Sequence, residues 1–332
     1  MMEKKNKESE GILVLVAARN GERYIGEQLD SILNQTVPGI RILVSDDCSQ
    51  DRTPQIAGAY AKRFPGQVQV WQRERPSGGA AAHFLELLSF AARMEEPPEY
   101  VLLSDQDDVW FPYKAQRLLG QMKRTEREGS KGEMGRSQTL PVLVHSDLTV
   151  TDEKLKVIAP SFFAYQKVSP QRRALPQLLV QNNVTGGAVM LNRPLLELLK
   201  TPPQVCLMHD AWLALVACCF GTISWVKEPL YYYRQHGANA LGAEKGDSPE
   251  GFIRRLKDGG EARDNYRKMF GQARCLLEMY GDRLDEEQKA VLKAFIRLPR
   301  RSRVGKMAEI LRWGFTKNTW LRTLGQMMMI GD

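Results

Sequence analysis

Apolar runs of strand length alternate with helix-spaced apolar residues over the first third of the chain. The runs lie at residues 12–17, 40–44, 68–71 and 100–103, and the segment after each of the first three carries apolar side chains at helical spacing. This alternation predicts β-α units, and a series of such units predicts a mainly parallel, doubly wound α/β sheet flanked by helices. Ligands of such sheets bind at the carboxyl ends of the strands, so the polar residues after the runs are candidate site residues.

The pattern changes after Pro112. A helix is predicted there, followed by a polar surface loop over residues 126–138. The apolar segment 209–220 predicts a buried helix that is introduced by two polar residues. Further strands are predicted at 142–145, at the end of the glycine-bearing segment 182–191, at 222–226 and at 230–233.

Length and composition predict a large globular protein, because 332 residues with 43% hydrophobic content can bury a sizeable core. The longest apolar run, residues 211–220, is about half of what a bilayer-spanning helix needs, and the polar start lacks the apolar stretch of a secretory signal. We therefore expect a cytoplasmic protein. The five cysteines show no CxxC spacing and no histidine partners at zinc-like intervals, so reduced thiols are expected.

The net charge of +8 is concentrated near the C-terminus, since residues 251–332 hold 18 Lys plus Arg against 10 Asp plus Glu. Ten basic residues lie between Lys289 and Arg322, interleaved with aromatic and aliphatic residues, and Glu309 is the only acidic residue there. This composition suits a surface that binds anionic lipid at the inner face of the cytoplasmic membrane, or a polyanionic substrate. A solvated helical face is the alternative. No nucleic-acid motif accompanies the charge, so nucleic acid is not expected as a partner.

Acidic residues follow two of the predicted strands. Asp46 and Asp47 follow the second strand, whereas Asp105, Asp107 and Asp108 follow the fourth. Two carboxylates separated by one residue offer oxygen ligands to a hard divalent cation, and such a cation can hold a diphosphate. The structural alternative is that these residues form turns and helix caps.

Six segments in sequence order resemble the family 2 glycosyltransferases of the GT-A fold, and within them the bacterial rhamnosyltransferase-like group. They are VLVAARNGERYIGEQLDSILNQT, ILVSDDCSQDRT, YVLLSDQDDVWFPYK, NNVTGGAVM, MHDAWLALVA and YYYRQHGAN. The resemblance implies a GT-A catalytic domain over residues 1–247, which binds the nucleotide sugar over about 11–125 and the acceptor over about 140–247. It leaves a basic helical extension over residues 248–332 unaccounted for.

The resemblance also assigns residues to the nucleotide. In the family, the first strand and the acidic pair after the second strand hold it, which here implies Ala18, Arg19, Asp46 and Asp47. A carboxylate suits this role because it accepts from the imide N–H of the base better than a neutral group does. Capping of the next helix is the alternative for one of the pair. Cys48 stands where the family usually has glycine.

Asp105 and Asp107 match the family's DxD motif, which implies that they place Mg²⁺ or Mn²⁺ against the diphosphate of the donor, with Asp105 also counted among the nucleotide-binding residues. His236 matches a histidine that reaches the metal or the diphosphate in many relatives. Trp110 is expected either to shape the sugar pocket or to cap the helix after Pro112.

Asp210 matches the family's general base, normally the aspartate of a Glu-Asp pair, and His209 stands here in place of the glutamate. An inverting transfer needs one base to accept the proton of the acceptor hydroxyl. Gly186 and Gly187 are expected beside the acceptor, with a bulge before the next strand as the alternative.

The sequence thus predicts an inverting, metal-dependent glycosyltransferase that moves a sugar, for example rhamnose, from a dTDP- or UDP-linked donor onto a cell-surface polysaccharide or a lipid-linked glycan. Two alternatives remain open at this point. One is a nucleotidyltransferase, which also uses paired carboxylates and a metal, and the other is an inactive nucleotide-sugar-binding or membrane-assembly subunit.

Overall fold

A nine-stranded mixed sheet forms the centre of the computed structural model, which describes residues 10–132, 139–237 and 259–330. The strands are β1 (Ile12–Ala18), β2 (Arg41–Asp46), β3 (Val68–Gln72), β4 (Tyr100–Ser104), β5 (Val109–Trp110), β6 (Val142–Thr151), β7 (Val157–Ala159), β8 (Val189–Asn192) and β9 (Thr222–Arg234). Their order in the sheet is β3-β2-β1-β4-β8-β6-β9-β5, and β7 pairs with β6.

Helices cover both faces of this sheet. They are α1 (Ile25–Leu33), α2 (Thr53–Arg63), α3 (Ala80–Ala92), α4 (Lys114–Gly132), α5 (Phe162–Gln166), α6 (Leu175–Leu178), α7 (Arg193–Glu197), α8 (His209–Phe220), α9 (Gly259–Tyr280), α10 (Glu286–Arg297), α11 (Arg303–Trp313) and α12 (Trp320–Met329). Short 3-10 helices lie at Gly186–Ala188 and Leu298–Arg300.

The alternation of side chains along β1 shows why both faces are covered. Val14 and Val16 pack with the apolar faces of α1, α2 and α4 in one hydrophobic core. Leu13 and Leu15 point the other way, into a second core with α3 and α8. Because successive residues of a strand point to opposite faces, a continuous apolar run requires helices on both sides.

The sheet is parallel only in its first half. Strands β1 to β4 pair in parallel, as predicted, whereas β8 is antiparallel to both β4 and β6. Strands β6 and β9 are parallel to each other, and β9 is one continuous strand where the sequence pattern predicts two. The interruption in the pattern corresponds to register shifts between β6 and β9 beside Asp147.

Two further features differ from the sequence prediction. Helix α4 continues to Gly132, through the first half of the segment predicted as a surface loop. The predicted domain boundary near residue 247 lies outside the described residues.

Helices α9 to α12 share a hydrophobic core with the preceding part of the chain. Tyr266, Leu276 and Phe295 belong to the same buried cluster as Trp212 of α8, and the rings of Trp212 and Tyr280 lie 6.3 Å apart. The extension is therefore packed against the helix that begins at His209. None of the described helices combines the length and the hydropathy needed to cross a membrane.

Candidate functional site

A cavity of about 560 Å³ opens where the carboxyl ends of β1, β2 and β4 meet. Ala18 pairs with Asp46 and Val16 pairs with Ser104 in the sheet register, so the residues after these three strands lie side by side. The first turn of α8 closes the opposite side of the cavity. Parallel strands thus bring together acidic residues that are distant in the sequence.

Asp47 faces the cavity and is held by neighbouring groups. Its Oδ1 accepts a hydrogen bond from the Ser77 backbone at 2.7 Å, and its Oδ2 accepts one from Ser77 Oγ at 2.9 Å. Arg73 Nε forms an ion pair with Oδ1 at 3.1 Å. Asp46 lies behind it, buried, with Oδ2 accepting from the Ser49 backbone at 3.2 Å. Neither aspartate caps α2, because Asp51 Oδ1 accepts from the backbone and hydroxyl groups of Thr53.

The turn after Asp47 has the geometry that glycine favours. Cys48 has a φ of 58°, in the left-handed region, at the position where the family that the sequence resembles usually has glycine. A side chain there costs backbone strain, on the order of 1 kcal/mol or more. The Cys48 thiol donates to the Arg73 carbonyl at 3.4 Å, which ties the turn to the segment that also supports Asp47.

The acidic segment after β4 is fixed by His236 and Arg234. His236 Nε2 lies 2.7 Å from Asp107 Oδ2, so the predicted pair of metal-site residues is in direct contact. Arg234 is buried and donates through Nε to the Asp107 carbonyl and through Nη2 to Glu27. Burial, followed by the nearby charges of Asp107 and Asp210, raises the pKa of Asp105 to about 7.

Lys114 is a buried cation beneath this acidic segment. Its Nζ donates to the Gly187 carbonyl at 2.5 Å and lies 3.7 Å and 4.1 Å from the ring centres of Trp110 and Tyr231. Burial lowers the pKa of Lys114, whereas the charges of Asp108 and Asp105 oppose that shift. The same burial raises the pKa of Asp108. The positive charge of Lys114 therefore partly offsets the negative charges of Asp105 and Asp108.

Replacement of Lys114 by methionine should destabilise the protein. The change leaves Asp105 and Asp108 without their buried counter-charge, and breaking such an arrangement typically costs about 3–5 kcal/mol of unfolding free energy. Urea denaturation measures the loss. Lys123→Met is the matched control on α4, because Lys123 is part of an exposed ion pair with Glu10 and should change stability by less than about 1 kcal/mol. Equal stability of both variants would contradict the role of Lys114.

Asp210 lies in the first turn of α8 and accepts three hydrogen bonds. Its Oδ1 accepts from the Ala211 backbone at 2.7 Å and from Asn182 Nδ2 at 3.0 Å, and its Oδ2 accepts from the Gly186 backbone at 3.1 Å. Burial raises the pKa of Asp210 to about 6, against the lowering effect of these bonds. At neutral pH the carboxylate is mostly ionised, yet more basic than an exposed aspartate.

His209 packs beneath the glycine pair rather than beside Asp210 as a second acid. Its ring stacks on Phe84 at 4.2 Å, and burial lowers its pKa to about 3, so the imidazole is neutral. A Cβ on Gly186 would lie 2.2 Å from His209 Nε2, which explains glycine at this position. Gly187 approaches Asp105 closely, since a Cβ there would lie 3.2 Å from Asp105 Oδ2.

The cavity gathers most, but not all, of the predicted site residues. Those that line it are Ala18, Arg19, Asp47, Asp105, Asp107, Gly186, His209 and Asp210. Those that lie outside its lining are Asp46, Trp110, Gly187 and His236. Asp46 and Gly187 are adjacent in sequence to lining residues, and His236 contacts the lining residue Asp107. Trp110 is buried against Lys114, in the core rather than on a sugar-binding surface.

Sequence reasoning missed several residues that organise the site. Gln106 exchanges two hydrogen bonds with the Arg19 backbone, 2.7 Å and 2.9 Å long, and so joins the ends of β1 and β4. Asn182 orients Asp210, and Arg73 with Ser77 orients Asp47. The position of Gln106 between two aspartates was visible in the sequence, whereas nothing local distinguished Arg73 or Lys114 from surface cations.

The carboxylates after β4 are chemically suited to a divalent cation. Within the described ranges, no three His, Cys, Asp or Glu side chains form a preassembled metal cluster. Mg²⁺ is nevertheless often held by one or two carboxylates, with water and substrate phosphates as the remaining ligands. Asp105 and Asp107 provide such a pair, and Asp108 Oδ2 is buried without a hydrogen-bond partner. The site therefore fits a cation by charge and by ligand type.

Comparison with known proteins assigns part of the sequence to a family. Residues 13–150 match the family model described as Glycosyl transferase family 2. The chain carries a family 2 glycosyltransferase domain. The match confirms the resemblance seen in the sequence and the class of the domain. The matched residues include the acidic residues after β2 and β4. Asp210 and His236 lie beyond the matched residues.

A sequence relative and two solved structures extend the comparison with this family 2 domain. The dTDP-rhamnosyl transferase RfbG of Shigella flexneri is 34% identical over 104 residues, which cover 31% of this chain and 35% of that protein, so the similarity spans about a third of the relative. The structure of S. aureus TarS 1-349 in complex with UDP-GlcNAc has a TM-score of 0.56 at 18% identity, covering 97% of this chain and 81% of that chain. GalNAc-T7 with UDP, GalNAc and Mn²⁺ has a TM-score of 0.52 at 13% identity, covering 93% of this chain and 55% of that chain. These structures confirm the predicted GT-A type fold.

Proposed function

We propose that the chain is an inverting, metal-dependent glycosyltransferase that transfers a sugar from a nucleotide sugar to a hydroxyl group of a glycan. The observation that carries the proposal is the presence of Asp105 and Asp107 from one segment and Asp210 from another in one cavity of about 560 Å³. A cavity of this volume suits a ligand of nucleotide-sugar size. The family 2 domain supports the reaction class.

The proposed donor is dTDP-rhamnose. Its support is the similarity to the Shigella flexneri protein, whose name specifies a dTDP-rhamnosyl transferase. The nucleoside would lie over Ala18 and Arg19, with Asp47 accepting from the imide N–H of the base. An ionised carboxylate offers about four acceptor positions, and Ser77 fills two of those on Asp47, so acceptor capacity is left for the base.

Asp210 is the proposed general base. Three of its roughly four acceptor positions are filled by Ala211, Asn182 and Gly186, which leaves one position for the acceptor hydroxyl. The hydroxyl oxygen forms its bond to the anomeric carbon on the face opposite the diphosphate, and its proton passes to Asp210. The bond from that carbon to the diphosphate breaks, and its electron pair leaves with the nucleoside diphosphate.

The departing diphosphate gains negative charge, which the site must stabilise. Mg²⁺ or Mn²⁺ held by Asp105 and Asp107, with His236 beside them, would supply this stabilisation as a Lewis acid. The presence of Mn²⁺ with UDP in GalNAc-T7, a protein of similar fold, supports this part of the proposal. Arg234 and His236 both contact Asp107 and so hold the acidic segment in place.

The proposed acceptor is a cell-surface polysaccharide or a lipid-linked glycan. Asp210, Gly186 and His209 form the side of the cavity opposite the strand ends, and an acceptor would enter there.

A thermal-shift panel tests the donor assignment. A ligand that binds only the folded state at 100 times its Kd adds about 2.7 kcal/mol of stability, which raises Tm by several degrees. With Mn²⁺ present, we expect dTDP-rhamnose to raise Tm more than UDP-linked or GDP-linked sugars do. No shift with any nucleotide sugar would contradict the proposal, and binding without turnover on any acceptor would favour an inactive binding subunit.

A further inference from the structure

Exposed apolar residues are concentrated on the last two helices. Twelve large hydrophobic residues are exposed among the described residues, and more than half of them belong to α11 and α12. We call this group the C-terminal apolar face: Val304, Met307, Leu311, Trp320, Leu321, Leu324 and Met328. Val304 and Trp320 are 78% and 60% exposed, so these side chains are not partly covered core residues.

The spacing of these residues places them on one side of each helix. Val304, Met307 and Leu311 are three and four residues apart, and Trp320, Leu324 and Met328 are four residues apart. Residues at this spacing lie above one another on a helix surface. Ile310 and Thr323, on other sides of the same helices, are buried. Each helix therefore packs one side against the protein and presents an apolar side to solvent.

The same helices also hold a basic cavity, which lies between α10 and α11. It has a volume of about 320 Å³, and its charged lining residues are Lys293, Arg297, Arg301, Arg312 and Glu309. Arg301 contacts Glu309 Oε1 at 3.3 Å, and the indole of Trp313 donates to Glu309 Oε2 at 2.7 Å, so the single acidic residue is already engaged.

The remaining three cations of the cavity lack an acidic partner at ion-pair distance among the residues that the structure describes. Lys293, Arg297 and Arg312 are exposed and form no ion pair with any residue in the described part of the chain. Like charges around one cavity repel each other unless an anion neutralises them. The cavity therefore suits an anionic group such as a phosphate.

We propose that α10, α11 and α12 form a docking surface for an anionic phospholipid membrane. The C-terminal apolar face would enter the interfacial region of the lipid, while Lys293, Arg297 and Arg312 bind lipid phosphates. Amphipathic helices bind membranes through this combination of buried apolar area and attraction to anionic lipid. A nucleic acid would satisfy the cations but would offer no apolar medium to the seven hydrophobic side chains, so a membrane fits both observations. The proposal is independent of the proposed sugar transfer.

Vesicle sedimentation of the full chain tests the docking surface. We expect the protein to pellet with vesicles of phosphatidylcholine containing 30% phosphatidylglycerol, and at least about 10-fold less with phosphatidylcholine alone, because each basic residue adds attraction only at an anionic surface. Addition of 0.5 M NaCl should weaken the binding, since salt screens exposed charges. Equal pelleting with both vesicle types, or none with either, would overturn the proposal.

Charge substitutions localise the site. The triple variant Lys293→Gln, Arg297→Gln, Arg312→Gln should lower the partition coefficient by about 100-fold, given roughly 5-fold for each basic residue at an anionic surface. The matched control removes three exposed cations from elsewhere, Lys62→Gln, Arg63→Gln and Lys200→Gln, with the same change in net charge. If the control loses as much binding as the triple variant, attraction is a property of net charge and the assigned surface is wrong.

Apolar substitutions test the second half of the surface. The variant Leu311→Ser, Leu324→Ser should bind anionic vesicles at least about 10-fold more weakly, whereas Val157→Ser, Ile158→Ser removes exposed apolar area elsewhere and should bind like the wild type. Trp320 should contribute a blue shift of fluorescence on binding that the Trp320→Phe variant lacks. Unchanged vesicle binding of the Leu311, Leu324 variant would refute insertion of the apolar face.

A soluble anion is the remaining outcome that the experiment distinguishes. Inorganic phosphate and pyrophosphate are tested by thermal shift on the wild type and on the triple charge variant. A shift that depends on Lys293, Arg297 and Arg312, together with no binding to anionic vesicles, would assign the cavity to a free phosphate and overturn the membrane proposal. Membrane docking would stand even if no nucleotide sugar were ever turned over.

Discussion

Replacement of Asp210 by asparagine should lower the kcat of sugar transfer by about 1,000-fold, because a positioned general base contributes on the order of 10² to 10⁴ in rate. The amide has the shape of the carboxylate but cannot accept the proton of the acceptor hydroxyl. Initial rates of nucleoside diphosphate release with the acceptor present measure the effect. The donor Kd, measured by calorimetry, should stay within about 3-fold, since Asp210 is proposed to contact the acceptor and not the nucleotide.

The pH profile provides the control for this assignment. Since burial raises the pKa of Asp210 to about 6, the protonated and inactive form dominates below that pH. Transfer should therefore decrease about 10-fold per pH unit below pH 6 and level off above it. The Asp210→Asn variant should lack this limb in its residual activity. A wild-type rate that stays constant down to pH 4.5, or a variant with wild-type turnover, would assign the base to another residue.

Replacement of Asp105 by asparagine should lower transfer by at least about 100-fold, since stabilisation of a leaving group by a metal ion is worth several kcal/mol. The variant should also bind the donor more weakly, and Mn²⁺ should no longer improve that binding. Calorimetric titration of the donor with and without Mn²⁺ separates this loss from a loss of catalysis alone.

The control for Asp105 uses an exposed aspartate on the surface. Asp282→Asn makes the same chemical change at an exposed residue outside the cavity lining and should leave both turnover and donor affinity unchanged. Chelation with EDTA should lower wild-type transfer as much as Asp105→Asn does, and excess Mn²⁺ should restore only the wild type. Transfer that survives both chelation and the Asp105 substitution would remove the metal from the mechanism.

The first half of the fold could be predicted because its pattern is local. Strands β1, β2 and β4 are buried on both faces, so each appears in the sequence as an apolar run, and each is followed by polar residues at the edge of the sheet. The second half could not be predicted to the same degree. The direction of β8 and the continuity of β9 depend on pairing with β6, and nothing within those segments specifies the partner or the register.

The site divides in the same way. Acidic residues after strands have a local signature, so Asp47, Asp105 and Asp107 were found from their positions. Lys114 has no such signature, because a lysine near the start of an amphipathic helix ordinarily lies in solvent, and only the tertiary structure buries it between Trp110 and Tyr231. Resemblance, rather than spacing, predicted a role for Asp210, which from local sequence alone is indistinguishable from a helix cap.

The shared core of α8 and the C-terminal helices has a geometric consequence. The helix that carries Asp210 packs directly on α9, and α9 to α12 belong to the same buried cluster. If α10 to α12 rest on a bilayer, the distance of Asp210 from the lipid surface is fixed, because the helix that carries it packs directly on the C-terminal helices and is not joined to them by a flexible linker. Such an enzyme would act on the sugar unit of a lipid-linked glycan that lies at this distance from the membrane. The length of the glycan would then determine whether it is an acceptor.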